Sequence, residues 1–95
     1  MAGEVGIAVV GVGRIGRLHA HNLHHHIPEA SLRALSDVNS EALRACAQEL
    51  GAPLAVDDHR AVVEKADVDA VVICSSTDTH SQIIQEAAAA GKHIF

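Results

Sequence analysis

Aromatic side chains are almost absent from this chain: Phe95, its last residue, stands alone, and there is no Trp or Tyr. A platform on which unpaired bases stack needs several aromatic faces, so a single-strand binder is not expected. Basic charge is also scarce, with seven Lys and Arg against twelve Asp and Glu and a net charge of −5. That balance argues against a nucleic-acid partner, which requires a basic footprint. The eight histidines would narrow the deficit in mild acid but not at neutral pH. Long hydrophobic runs are missing too; Ile7-Ala8-Val9-Val10 is far too short to span a bilayer. The start, Met1 to Gly6, has no basic segment ahead of an apolar one, so no secretory signal is expected and a cytoplasmic setting is. Two cysteines, Cys46 and Cys74, form neither a Cys-x-x-Cys pair nor a short Cys/His ligand spacing, and they read as buried, reduced thiols. No repeat, low-complexity tract or linker interrupts the chain.

What remains is a globular composition. The 95 residues, 48 % of them hydrophobic, suit one domain or part of one, with a modest core. Val5 to Val10 is a β-branched run that reads as a strand buried on both faces. After it Ile15, Leu18, Leu23 and Ile27 fall near one helical face, ended by Pro28. Leu32 to Ser36 alternates weakly and reads as a second strand. Asn39 or Ser40 can cap a helix in which Leu43, Cys46, Ala47 and Leu50 share a face, with Gly51 as its stop. Pro53 to Val56 is a short third strand, placed at an edge by its proline. Asp57 or Asp58 caps a short helix through Val62 and Val63. Ala70 to Cys74 is the clearest strand. Ser75 to Asp78 reads as a loop, and Thr79-His80-Ser81-Gln82 as a capping box opening a helix that runs to Gly91. Ile94 and Phe95 begin a fifth strand.

Alternating strands and helices imply a parallel sheet covered on both faces. Right-handed crossovers favour a Rossmann-type doubly wound α/β fold with strand order 3-2-1-4-5. The chain stops inside the fifth strand, so residues 1–95 are expected to be an incomplete N-terminal dinucleotide-binding domain of a longer protein.

Gly11-Val12-Gly13-Arg14-Ile15-Gly16 follows the first strand and opens the first helix. In such a loop one glycine makes the tight turn, the next admits a pyrophosphate close to the backbone, and the third lets helix and strand pack closely. The helix N-terminus offers unpaired N–H groups to phosphate. An acid, Asp37, ends the second strand about 20 residues on, as the dinucleotide fingerprint requires. Its carboxylate would accept from the adenosine ribose hydroxyls and repel a 2′-phosphate. Val38, Asn39 and Ser40 add no cation, so NAD is expected over NADP; alternatively, Asp37 only caps its turn. Arg14 could pair with the pyrophosphate or be a solvated surface residue. The loop after the fourth strand lies where open α/β sheets bind ligands, which brings in Ser75, Ser76, Thr77 and His80 on the nicotinamide side. The candidate cofactor-binding set is Gly11, Gly13, Arg14, Ile15, Gly16, Asp37, Val38, Ser75, Ser76, Thr77 and His80. No catalytic residue and no metal ligand is expected. Cys74 could act as a nucleophile only with His80 as base, and a small packed residue is the better reading. His19, His21, His24, His25 and His26 cluster on the first helix; His21 and His25 have the spacing of a metal pair, but helix exposure explains the cluster as well.

The segments Gly11 to Ala20, Leu35 to Asn39, Asp67 to His80 and Ala90 to Phe95 resemble the N-terminal domain of the glucose-fructose oxidoreductase/inositol dehydrogenase family. Ser75-Ser76-Thr77-Asp78-Thr79-His80 looks most like the bacterial inositol 2-dehydrogenases. The resemblance implies an NAD-dependent enzyme that oxidises a ring secondary alcohol of a cyclic polyol to a ketone. Another sugar or dihydrodiol dehydrogenase of the family, or a non-catalytic nucleotide-binding module, is the alternative. It further implies a second α/β domain carrying substrate contacts and a homo-oligomer interface (dimer or tetramer). A Glu-Lys-Pro motif just beyond the fifth strand, and an Asp and a His from the second domain, would complete the catalytic site. None of these lies in the present chain, so the chain by itself is expected to be inactive. Gly13-Arg14-Ile15-Gly16-Arg17 also resembles glyceraldehyde-3-phosphate dehydrogenase, but the following helix and the loop after Cys74 fit that enzyme poorly.

Overall fold

The computed structural model describes residues 5–27, 29–52, 54–75 and 77–95, with side chains except at 77–79. Five strands and four helices alternate: β1 (Val5–Val10), α1 (Arg14–His26), β2 (Ala30–Ser36), α2 (Ser40–Leu50), β3 (Leu54–Val56), α3 (His59–Val63), β4 (Ala70–Ile73), α4 (Thr77–Ala89) and β5 (His93–Ile94). The strands form one parallel sheet in the order β3-β2-β1-β4-β5, as the alternation implied. β3 lies at an edge, as expected; Pro53, on which that expectation rested, is outside the described residues, as is Pro28.

The central strand β1 sorts its side chains between two cores. Ile7 and Val9 join Leu32, Leu35, Leu43, Cys46 and Leu50 beneath α1 and α2. Ala8 and Val10 join Val62, Val63, Val71, Ile83 and Ala87 beneath α3 and α4. This two-sided burial is why β1 reads as a continuous apolar run. The weak alternation of β2 has a local cause. Ile7 pairs with Leu32 but Ala8 pairs with Ala34, so Arg33 is an extra residue at a bulge. One inserted residue inverts the pleat, and Leu32 and Leu35 therefore share a core.

The helix boundaries follow local chemistry with one exception. The Asn39 side chain accepts from the N–H groups of Glu41 and Ala42, and Gly51 closes α2 in the left-handed conformation. Asp58, rather than Asp57, caps α3 by accepting from the Arg60 N–H. α4, in contrast, starts at Thr77 and not at the capping-box threonine, so Thr79 lies within its first turn and the loop after β4 is shorter than expected. Ser75 through Thr79 offers five consecutive residues, four of them Ser or Thr, and such a run does not set the register of a helix start.

The apolar face of α1 also differs from its expected position. Gly16 and Ala20 are buried and Leu23 packs on the core, whereas Ile15 and Leu18 are 57 % and 54 % exposed. At about 100° per residue, Gly16, Ala20, Leu23 and Ile27 fall within an arc of roughly 60°, away from Ile15 and Leu18. Small residues face the sheet because α1 packs unusually close to it, and a search for large apolar side chains overlooks them.

Among the described residues no helix covers the α1 side of β4 and β5. There Val5, Ile7, Leu23, Ile27, Val72 and Phe95 line an apolar groove of about 280 Å³, and Phe95 is 75 % exposed.

Leu35 of β2 is fully buried in the core beneath α1 and α2. Leu35→Ala is expected to lower unfolding free energy by about 2–5 kcal/mol, and Asn39→Ala by only about 1 kcal/mol. Urea denaturation followed by circular dichroism checks both, and equal costs would contradict the packing described.

Candidate functional site

A crevice of about 360 Å³ opens at the carboxyl ends of β1, β2 and β4, between the glycine loop and the loop after β4. α1 leaves β1 toward one face of the sheet and α4 leaves β4 toward the other. The crevice thus occupies the point where chain direction switches, the usual ligand position in open α/β sheets.

The glycine loop is built by close contacts. Gly11 has φ +94°, and a β-carbon on it would lie 2.6 Å from the Cys74 carbonyl carbon and the Ser75 nitrogen. A β-carbon on Gly16 would lie only 1.6 Å from the Gly11 carbonyl oxygen. Both positions therefore demand glycine on steric grounds. Gly13 is different: nothing lies within 4 Å of where its β-carbon would stand. It is the N-cap of α1, makes no side-chain cap, and no acid occupies the helix's first turn. The orphan N–H groups and the positive dipole end consequently face the crevice without an internal partner. Arg14, in that first turn, is exposed and has no hydrogen-bond or ionic partner among the described residues.

Asp37 sits at the crevice wall with both carboxylate oxygens engaged. Oδ2 accepts from the Val12 N–H at 2.8 Å, and Oδ1 accepts from the Asn39 N–H at 2.8 Å. The turn-capping reading is therefore correct as far as it goes, but the same carboxylate also ties the glycine loop to the end of β2. Each oxygen retains a lone pair for a further donor. Val38 projects beside it, 91 % exposed.

The structure brings Gly11, Gly13, Asp37, Val38 and Ser75 together around one opening. Ile15 and Gly16 lie in the first turn of α1 outside that lining. Ser76 is outside the described residues, and Thr77 begins α4. The His80 ring donates from Nε2 to the Ser75 carbonyl at 2.7 Å, which fixes the loop and leaves Nδ1 as the ring acceptor when the imidazole is neutral. His80 thus contacts the loop backbone at Ser75 rather than the Cys74 thiol, which is not the contact a nucleophile's base makes. Burial pushes the Cys74 thiol up, away from the reactive thiolate.

Sequence reasoning missed part of the wall. Ser36, Asp57, His59 and Ile83 also line the crevice. His59 Nε2 contacts Glu86 Oε2 at 2.5 Å, which joins α3 to α4. Burial raises the Glu86 carboxyl, but hydrogen bonds from Gln82, His59 and Arg60 outweigh it and hold the group below the usual range. The available signal was position: Asp57 and His59 follow β3 as Asp37 follows β2. Among the described residues no group of three or more His, Cys, Asp or Glu side chains could hold a metal ion.

Residues 5–95 match the Gfo/Idh/MocA oxidoreductase family, NAD-binding Rossmann fold. The chain belongs to this family. It is 46 % identical over 89 residues to myo-inositol 2-dehydrogenase of Thermotoga maritima, an alignment covering 94 % of this chain and 26 % of that protein. It is 39 % identical over 95 residues to scyllo-inositol 2-dehydrogenase (NAD(+)) of Bacillus subtilis, covering 100 % of this chain and 28 % of that one. The crystal structure of scyllo-inositol dehydrogenase from Lactobacillus casei with bound NAD(H) and scyllo-inositol superposes with a TM-score of 0.91 at 39 % identity, over 97 % of this chain and 27 % of that chain. This chain spans about a quarter of the length of the curated relatives it matches. The cofactor of the fold is NAD, and the uncapped helix end, the open space at Gly13 and the Asp37 carboxylate fit it.

The glycine contacts generate a contrast. Gly16→Ala must displace backbone and is expected to cost at least about 1–3 kcal/mol of stability. Gly13→Ala meets no atom and is expected to stay within about 0.5 kcal/mol of the parent. Paired thermal melts read the difference, and a destabilised Gly13→Ala would show that the loop is more crowded than described.

Proposed function

We propose that the whole polypeptide oxidises a ring secondary alcohol of a cyclic polyol to a ketone, as an inositol 2-dehydrogenase does, with this chain holding the NAD. The observation that carries the reading is the joining of the glycine loop to Asp37 at one crevice, in a chain that aligns over its whole length with part of scyllo-inositol 2-dehydrogenase (NAD(+)). When bound, NAD supplies the hydride acceptor at the nicotinamide C4; the protein supplies binding and orientation.

Each residue then has a task. The first-turn N–H groups of α1 and the Gly11–Gly13 backbone receive the pyrophosphate, with Arg14 free to reach it. Asp37 accepts from the adenosine ribose hydroxyls with the lone pairs left over from Val12 and Asn39. Val38 offers an apolar surface to the adenine, and exposed Ile15 one toward the nicotinamide half. Ser75, Ser76, Thr77 and His80 border the nicotinamide side. Among the described residues that line the crevice, Asp37 and Asp57 are carboxylates and none is Arg or Lys, so a 2′-phosphate is repelled and NADP is disfavoured.

Substrate contacts, the catalytic acid–base groups and a homo-oligomer interface belong, in this reading, to a second domain. The relatives' greater length supports that division. So does the bare apolar groove beside Phe95, a face that a longer chain would bury. A cytoplasmic setting accords with two free thiols among the described residues.

Calorimetric titration tests the cofactor part. The chain is expected to bind NAD more tightly than NADP. Asp37→Ser is expected to weaken NAD by about ten- to hundred-fold, the loss of a charged hydrogen-bond partner, and to narrow the NAD/NADP ratio. A ratio unchanged by Asp37→Ser would remove Asp37 from cofactor selection. For the reaction, the whole polypeptide is expected to reduce NAD with myo-inositol or scyllo-inositol, and the 95-residue chain alone to give no NADH. Protein-dependent turnover by the short chain would overturn the division between domains.

A further inference from the structure

The histidine cluster on α1 takes no part in the crevice. His21 and His25 stand one helical turn apart, and side chains four residues apart share a face. Their ring centroids are 4.4 Å apart with planes tilted by 51°. His25 is exposed and His21 half-buried. The other ring pairs suit chelation less. His24 and His25 meet edge to face at 4.7 Å, and adjacent helical residues diverge around the axis. His26 stays 6.2 Å from His21 and 6.4 Å from His25.

We propose that His21 and His25 form a surface site for a borderline first-row divalent cation of the Zn²⁺, Ni²⁺ or Cu²⁺ class, which bridges one turn of α1 and clamps the helix. Imidazole nitrogen suits these ions, whereas Mg²⁺ and Ca²⁺ require oxygen ligands. A tetrahedral ion bound at about 2.0–2.1 Å by each nitrogen places the two nitrogens roughly 3.3 Å apart. Rings with centroids 4.4 Å apart can reach that geometry by side-chain rotation alone. Water fills the remaining positions.

The surroundings favour cation entry. From α2, Glu49 faces both His21 and His25 and adds negative charge nearby, while remaining paired with Arg17 of α1. Binding across one turn favours the helical conformation, so the native chain gains stability with metal concentration by mass action. The same helix carries Gly13 and Gly16 at its other end, which makes the site a brace for the element that forms the crevice.

The test uses the untagged, metal-stripped 95-residue chain at neutral pH, titrated with Zn²⁺ by calorimetry and with Cu²⁺ by electron paramagnetic resonance. One saturable Zn²⁺ per chain and a Cu²⁺ spectrum with two coordinated nitrogens are expected, along with a thermal midpoint that rises with Zn²⁺. His21→Gln and His25→Gln should each weaken binding by at least about ten-fold, the lower end of what disturbing a metal's ligand shell costs. His19→Gln and His26→Gln should leave it unchanged. Circular dichroism confirms that the variants remain folded. Absence of saturable Zn²⁺ uptake overturns the site, as does a loss shared evenly by all four variants, which would mark a diffuse histidine surface.

Discussion

The close approach of α1 to the turn that precedes it governs the rest of this structure. The Gly16 backbone rests against the Gly11 carbonyl, and Gly11 rests against Cys74 and Ser75 at the end of β4. Three chain segments meet where no β-carbon fits. That contact directs the N-terminus of α1 into the crevice and brings the β4 loop alongside. The Asp37 carboxylate adds the end of β2 to the same junction through the Val12 N–H. Donors aimed at an anion are thus held in place by the fold before any ligand arrives, which reduces the ordering cost of binding.

The sheet serves this junction by being buried from two directions. β1 supplies Ile7 and Val9 to one core and Ala8 and Val10 to the other, so its carboxyl end cannot shift without disturbing both. The bulge at Arg33 aligns Leu32 and Leu35 with the α1–α2 core and delivers Ser36 and Asp37 to the crevice in the required register. On the opposite face, Glu86 gathers His59, Arg60 and Gln82 and joins α3 to α4 beside the crevice that His59 lines. The outlying faces are less finished. β5 has two residues, and among the described residues no element covers the apolar groove between Leu23 and Phe95.

Much of this was legible in the residue order because local chemistry and the final fold agree. Strand β1, the Gly11–Gly16 loop, Asp37, the Asn39 cap and the Gly51 stop each carry a short-range signal that tertiary packing does not oppose. The buried face of α1 was misread because close packing selects Gly16 and Ala20, whose small size reads as weak hydrophobicity. The start of α4 was misread because a run of Ser and Thr supplies several equivalent caps.

Residue order by itself determined the α/β alternation, the glycine loop with its acid and the family, since each depends on spacing along one segment. Only the tertiary structure decided which side chains share the crevice: the dual engagement of Asp37, the entry of Asp57 and His59, and the binding of His80 to the Ser75 carbonyl. These are contacts between segments far apart in the chain. Their geometry is set by how closely helices approach the sheet and by a one-residue bulge, and neither leaves a periodic trace in the sequence.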